Sequence, residues 1–297
     1  MGRCFTIPQR IMILTMIIGL YCDQPEAHGE NTAPVPRRED IRNALEKAAP
    51  SPSYRMYALR VGIAPKTRRN LLIRDRTLPR HIPAAFSFWV IRGTDRTVLI
   101  DTGFVNRSMI SKWGIEHYRT PLSLLAEIGI EAKEVTDVVV THSHWDHVGA
   151  IHQFTGARIW ISRREFRAIG GPRGARLPKP FRLAKKQGRL KVIDQVTAMA
   201  PGIALVPVGL HTAGFQFVAV KTRDGVTVFS SDIAPLWANF ERRIATGQTQ
   251  NPAQTLALQE LIRDLVDKKL HRIVPGHEPG IYRNSHVAEI TPSKTPK

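Results

Sequence analysis

Apolar residues fall in short runs along most of the chain, and the spacing inside each run separates strands from helices. Residues 137–141 read as a buried strand, because three consecutive valines, Val138 to Val140, are β-branched and lead straight into polar chain. Residues 86–91 and 97–100 are also β-rich, and the second run closes on Asp101-Thr102-Gly103. Loose alternation over 54–63 predicts a further strand, as do the runs at 158–161, 203–208, 215–220, 226–230 and 271–274. Helical spacing covers 122–128, where Gly129 stands in the stop position, and 255–269; the chain from His147 onward also resembles a helix start. Strands in pairs and triplets with helices between them predict a mixed α/β domain over 54–297, not a strict βαβ alternation.

Two stretches near the start break this pattern. Residues 11–20 form one apolar run behind Arg3 and Arg10, shorter than the about 20 residues that span a bilayer. This predicts a signal peptide over 1–29 and a periplasmic or secreted protein, with an uncleaved N-terminal membrane anchor as the alternative. Residues 30–53 are rich in Pro, Ala, Ser and charge and read as a tether, with at most one short helix near 38–48.

With 297 residues, 42% of them hydrophobic, the chain can bury a large core, which excludes global disorder. The two cysteines, Cys4 and Cys22, both lie in the leader. The domain therefore has neither a disulfide framework nor a thiolate metal site, and any metal it binds must be held by histidine and carboxylate. The formal net charge is +18, and residues 1–29 balance two bases against two acids, so the excess belongs to the rest of the chain. Residues 158–191 hold twelve Lys/Arg and one acid, Glu165, among several Gly and Pro. They read as a surface excursion, either a solvated basic face or a rim that attracts an anionic substrate or surface. No specific nucleic-acid partner is expected.

Chemistry concentrates directly after the triple-valine strand, in His142-Ser143-His144-Trp145-Asp146-His147. His142 and His144 are two apart, so in extended backbone they face the same way and can grip one ion. Asp146 and His147 come after the turn and can hold a second ion. Neutral imidazoles with a few carboxylates suit zinc. One cluster cannot complete two sites, and further candidates stand at other strand ends: His211 in Gly209-Leu210-His211-Thr212-Ala213-Gly214, Asp232 after Val228 to Ser231, and His277 after Val274-Pro275-Gly276.

The ordered set His142-x-His144-x-Asp146-His147, His211, Asp232 and His277 resembles the metallo-β-lactamase superfamily over residues 54–290. The resemblance implies an αββα sandwich of two mixed sheets flanked by helices, with the site at one edge. It implies two Zn2+ per chain, one on His142, His144 and His211, the other on Asp146, His147 and His277, with Asp232 bridging. Asp146 and Asp232 would be the catalytic carboxylates and Asp101 a support. The remaining histidines match nothing in the pattern. Two zinc ions set against two aspartates and a bridging hydroxide leave about one positive charge, which favours a transition state that gains negative charge on a carbonyl or phosphoryl oxygen. The context of Asp232 and the ending Pro275-Gly276-His277-Glu278 are similar to the acyl-homoserine lactonase-like branch. That similarity implies a small-molecule lactone or ester substrate, with a thioester of the glyoxalase II type, a β-lactam or a phosphoester as alternatives. Pro235 stands where that branch carries a tyrosine near the substrate carbonyl, and Tyr118, Tyr282 and Trp145 are the candidate substitute donors.

Overall fold

Successive side chains of a strand point to opposite faces, and in the centre of this molecule both faces are apolar. Phe86, Phe88 and Val90 enter one cluster, while Trp89 and Ile91 enter another. The same division separates Leu99 from Val98 and Ile100, and Val138 and Val140 from Val139. A sheet buried on both faces needs a layer on each side, which is why these runs read as nearly continuous hydrophobic stretches.

The computed structural model describes residues 35–47, 53–170 and 177–291, all within the compact unit Thr32–Lys297. The signal peptide expected over 1–29 lies outside the described residues, as do 30–34 and 48–52 of the expected tether. The chain enters through α1 (Arg38–Glu46) and a long hairpin, β1 (Arg55–Arg68) and β2 (His81–Arg92), with one turn of helix, α2 (Arg69–Leu72), in its loop. Next come β3 (Thr97–Ile100), α3 (Arg107–Trp113), α4 (Pro121–Glu127), β4 (Asp137–Val139) and α5 (Trp145–Val148). They are followed by β5 (Arg158–Ser162), α6 (Arg163–Gly170), α7 (Lys179–Lys186) and β6 (Leu190–Ile193). The second half holds β7 (Thr197–Ala200), β8 (Ile203–Pro207), β9 (Gln216–Thr222) and β10 (Gly225–Ser231). It ends with α8 (Trp237–Glu241), α9 (Pro252–Leu265), β11 (Ile273–Pro275) and β12 (Val287–Ile290).

Seven strands form one sheet in the order β12-β1-β2-β3-β4-β5-β6, and five form the other in the order β11-β10-β9-β8-β7. Between the sheets lie Met56, Trp89, Ile100 and Val139 against Val218, Val220, Phe229 and Val274. The outer face of the seven-stranded sheet packs on Leu124, Leu125 and Phe181, and that of the five-stranded sheet on Leu258, Ile262 and Leu265. This is the expected four-layer αββα arrangement.

Helix starts follow local chemistry. Thr120 caps α4 by accepting from the Ser123 amide at 3.2 Å, and Asn251 caps α9 by accepting from the Gln254 amide at 3.0 Å, each with proline next in line. α9 therefore begins three residues before its apolar pattern suggested.

Two expectations change. The described residues of 158–191 are not a surface excursion: β5 and β6 extend the seven-stranded sheet in parallel, and Ile159, Ile161, Phe181 and Ala184 are buried. The bases ride on the outer faces of α6 and α7, where Arg164, Arg167, Lys179, Arg182, Lys185 and Lys186 are exposed. The short helix inside the expected tether is likewise a packed element, because Ile41, Ala44 and Leu45 recur at helical spacing and are buried against the five-stranded sheet.

Strand direction decides where function can sit. β3, β4 and β5 run parallel, so Asp101, the 142–147 segment and the start of α6 leave the sheet at one edge. β10 and β11 are also parallel, and β8 runs with β10, so His211, Asp232 and His277 leave the other sheet at their own C-terminal ends.

If α1 is part of the core, Ile41→Ala should cost about 2–5 kcal/mol of stability, the usual range for emptying a buried aliphatic site. Urea unfolding of the two proteins measures this, and an unchanged midpoint would return residues 38–46 to the tether.

Candidate metal centre

The segment after β4 is fixed before any ligand-type residue appears. Thr141 donates its amide and its hydroxyl to the buried carboxylate of Asp101, at 2.8 and 2.7 Å. Asp101 itself has a left-handed backbone (φ 61°) in a turn completed by Gly103 (φ 64°). The chain then takes a single helical turn, α5, in which the amides of His147 and Val148 both bond to the His144 carbonyl at 3.1 Å. This turn sends His144 one way and Asp146 with His147 another.

All seven residues singled out in the sequence come together, in two groups. His142, His144, His211 and Asp232 have candidate ligand atoms within 4.8 Å of one another, and so do Asp146, His147 and His277. In the first group His144 Nδ1 lies 2.9 Å from His142 Nε2 and 3.1 Å from His211 Nε2. Two imidazoles on one tetrahedral zinc, with Zn–N near 2.0–2.1 Å, hold their nitrogens about 3.3 Å apart, so this spacing fits a shared ion. In the second group Asp146 Oδ2 lies 3.3 Å from His147 Nε2 and 3.8 Å from His277 Nε2. Asp232 faces both groups: Oδ1 is 3.3 Å from His147 Nε2, while Oδ2 is 3.3 Å from His277 Nε2 and 3.4 Å from His211 Nε2. Gly276 makes room for it, since a side-chain carbon there would stand 2.8 Å from Asp232 Oδ1.

Three of the five imidazoles are oriented by their other nitrogen. His147 Nδ1 bonds Asp101 Oδ2 at 2.7 Å, His277 Nδ1 the Ala85 carbonyl at 2.9 Å and His211 Nδ1 the Gln248 carbonyl at 3.1 Å. Carboxylate and carbonyl acceptors of this kind fix the tautomer and leave Nε2 free for a metal. His147 Nε2 is buried without a hydrogen-bond partner, an orphaned nitrogen that a metal at this position would satisfy. The donor set of five imidazoles and two carboxylates fits zinc or a similar divalent metal.

The charges of the two groups differ. Burial, reinforced by the neighbouring imidazoles, lowers His142 well below its ordinary value and His211 to about 3. Burial acts the same way on His147, but Asp146, Asp232 and Asp101 outweigh it and hold the imidazolium well above the usual range. His277 is raised too, by Asp232 and Asp146 against burial.

Sequence reasoning missed the Ala85 and Gln248 carbonyls and one side chain of the frame. Glu165 is buried, and its carboxylate accepts from Ser143, between His142 and His144, and from Thr212 and Gly214, just past His211. Its signal was present as the lone acid of the basic stretch and as the fourth residue of Ser162-x-x-Glu165, a helix-start pattern. Asp101 performs the supporting role expected of it. None of the other described histidines joins either group; His286 Nδ1, for instance, bonds the Arg60 carbonyl at 2.8 Å. Of the candidate donors, the Tyr118 hydroxyl is committed to the Phe104 carbonyl at 3.0 Å. The Tyr282 phenol is fully buried, which raises its pKa, beside Arg60. Trp145 joins Phe86, Phe104 and Trp113 in an aromatic group whose Phe86 ring packs edge-on to His277 at 5.2 Å.

Comparison with known proteins agrees with this geometry. The model of the metallo-beta-lactamase superfamily matches residues 87–277. An N-acyl homoserine lactonase of a Bacillus species is 21% identical over 204 residues, covering 64% of this chain and 80% of that one. Among solved structures, a quorum-quenching N-acyl homoserine lactone lactonase superposes with a TM-score of 0.64 at 18% identity, covering 78% of this chain and 95% of that one. AidC, described as a dizinc quorum-quenching lactonase, gives a TM-score of 0.57 at 17% identity, covering 78% and 90%.

The unequal charges predict unequal proton release. A raised pKa means that metal-free His147 keeps its proton at neutral pH, and a metal must displace it. Affinity at the Asp146–His147–His277 group should thus rise with pH until the raised pKa is passed, while His142 and His211 are already neutral. Calorimetric metal titration at pH 7 in buffers of different ionisation heat should show about one to two more protons released at that group, from His147 and His277. Equal release at both groups would contradict the assignment.

Proposed function

The chain belongs to the metallo-β-lactamase superfamily and is a metal-dependent hydrolase of its lactonase-like branch, and from that premise we propose that it uses two zinc ions to hydrolyse a lactone or ester. The observation that carries the reading is the position of Asp232 between the two groups, with Oδ1 against His147 and Oδ2 against both His277 and His211. His142, His144 and His211 would hold one ion, Asp146, His147 and His277 the other, and Asp232 both. Bound there, the pair would supply a hydroxide at neutral pH and polarise the acyl carbonyl.

The protein's own residues would do the rest. Asp101, Ala85 and Gln248 keep the imidazoles aimed inward, so little reorganisation is needed as charge develops. Phe86 packs against His277, and Trp145 and Trp113, which lean on Phe86 and are only half-buried, would offer an apolar wall to an acyl chain or ring. Its presence, and relatives named as N-acyl homoserine lactonases, favour an apolar lactone or ester over a phosphoester. The exposed bases of α6 and α7 would attract anionic substrates or surfaces over about one Debye length, near 10 Å at 0.1 M salt. The leader, with its short apolar run behind two arginines, supports export to the periplasm or beyond.

A panel of lactones, aryl esters, thioesters, β-lactams and phosphodiesters on zinc-loaded protein tests the reading. Lactones or esters should turn over fastest, and His142→Ala or Asp232→Ala should abolish turnover while the fold persists by circular dichroism. Activity retained in either variant would remove the two-metal reading.

Pro235 offers no side-chain donor, and its carbonyl is occupied by the His277 amide at 2.8 Å. With the Tyr118 hydroxyl bonded to the Phe104 carbonyl and Tyr282 buried in the core between the sheets, neither tyrosine supplies the departing oxygen with a general acid of the kind typically worth about 10²–10⁴-fold in rate. The kcat should therefore fall steeply from aryl to alkyl leaving groups of similar size. A flat dependence, with chemistry shown to limit the rate, would reveal a donor other than these tyrosines.

A further inference from the structure

We propose that Glu165 is a positioning residue dedicated to the His142–His144–His211 group: it ties together the two loops that carry these imidazoles and thereby sets the affinity of that group alone. The inference rests on the two-metal reading above. Its basis is the use of all four donors around one buried carboxylate. Oε1 accepts from the Ser143 amide at 2.8 Å and from the Ser143 hydroxyl. Oε2 accepts from the Thr212 hydroxyl at 2.7 Å and from the Gly214 amide at 3.0 Å. Ser143 separates His142 from His144, and Thr212 follows His211, so one oxygen serves each loop.

Local structure had another use for this side chain. Ser162 and Glu165 have the spacing of a capping box, in which the glutamate would turn back to the cap residue. Only half of the box forms: the Glu165 amide donates to Ser162 Oγ at 3.2 Å, while the carboxylate reaches across to the loops. The Ser162 hydroxyl bonds the Gly214 carbonyl in turn, closing a second link between α6 and the His211 loop. Gly214 is required for this approach, since a side-chain carbon there would overlap the Glu165 backbone. Against the second group Glu165 makes no hydrogen bond; there Asp101 and the Ala85 carbonyl serve His147 and His277.

A glutamine at 165 would present its NH₂ to donors on one loop, and the link would open. Removing an outer partner of metal ligands typically costs about 10–100-fold in metal affinity. The test is cobalt binding, followed by its visible spectrum, in full-length protein with one group disabled. In a His277→Ala background, Glu165→Gln should weaken cobalt binding about 10–100-fold. In a His211→Ala background it should leave binding within about twofold, because only the other group remains. Amide exchange at Ser143 and Gly214 in metal-free protein should also accelerate in Glu165→Gln. If that variant does not fold, Thr212→Val, which removes one donor of four, should show the same background dependence at a few-fold scale. Equal losses in both backgrounds, or none in the first, would overturn the proposal. Fewer than two cobalt ions in the unmodified protein would instead count against the two-metal reading itself.

Discussion

An imidazole can aim one nitrogen at an ion only if its other nitrogen is held, because a free ring in a buried pocket turns to satisfy whichever atom is lonelier. The centre of this protein depends on that constraint. Asp101, the Ala85 carbonyl and the Gln248 carbonyl each take an outward-facing N–H, and the inner nitrogens then crowd together at spacings that suit a shared cation. Such an arrangement is costly without an ion, since buried charges and unpaired nitrogens carry desolvation penalties. The αββα core around it supplies the rigidity. Strand ends from both sheets deliver the ligands, and the apolar layers on either side hold those ends in place.

The two halves of the centre solve different electrostatic problems. Burial keeps His142 and His211 neutral, and the loops of their group are joined through one carboxylate that hydrogen-bonds none of the imidazoles. The second group sits among Asp101, Asp146 and Asp232 and binds protons where it would bind metal. Asp232 belongs to both, and its backbone is delivered by Ser231 in a left-handed conformation (φ 45°), as His211 is delivered by Leu210 (φ 79°). Left-handed geometry at serine and leucine is unfavourable, and it stands directly before two ligand-type residues, a common location for stored strain.

The layers and the seven inward-facing residues were legible because they depend on side-chain type. Val138 to Val140 announce a doubly buried strand, and histidines or aspartates at successive strand ends announce converging ligands. What stayed hidden depends on backbone or on context. The carbonyls of Ala85 and Gln248 have no residue-type signature. Left-handed turns at Leu210 and Ser231 contradict the propensities of those residues. The hairpin arms run on to Arg68 and His81, past prolines and charges that blur the alternation. Glu165 was obscured by the basic residues around it, which describe the outer face of α6 and say nothing of its inner one. In α1 the reverse held: a polar, proline-flanked segment hid three apolar positions that dock on the second sheet.

The span of chain that the centre draws together also bears on when it can exist. His277 hangs from a carbonyl 192 residues earlier, and the strands on either side of it, β11 and β12, complete the edges of two different sheets. Contacts of such long range close late, after the entropy of the intervening loops has been overcome. A nascent or partly folded chain therefore offers an ion at most the local His142–His147 cluster, a weak and promiscuous trap. The full ligand set exists only once the last strands have docked, so the centre is a property of the finished fold and not of any one segment of the chain.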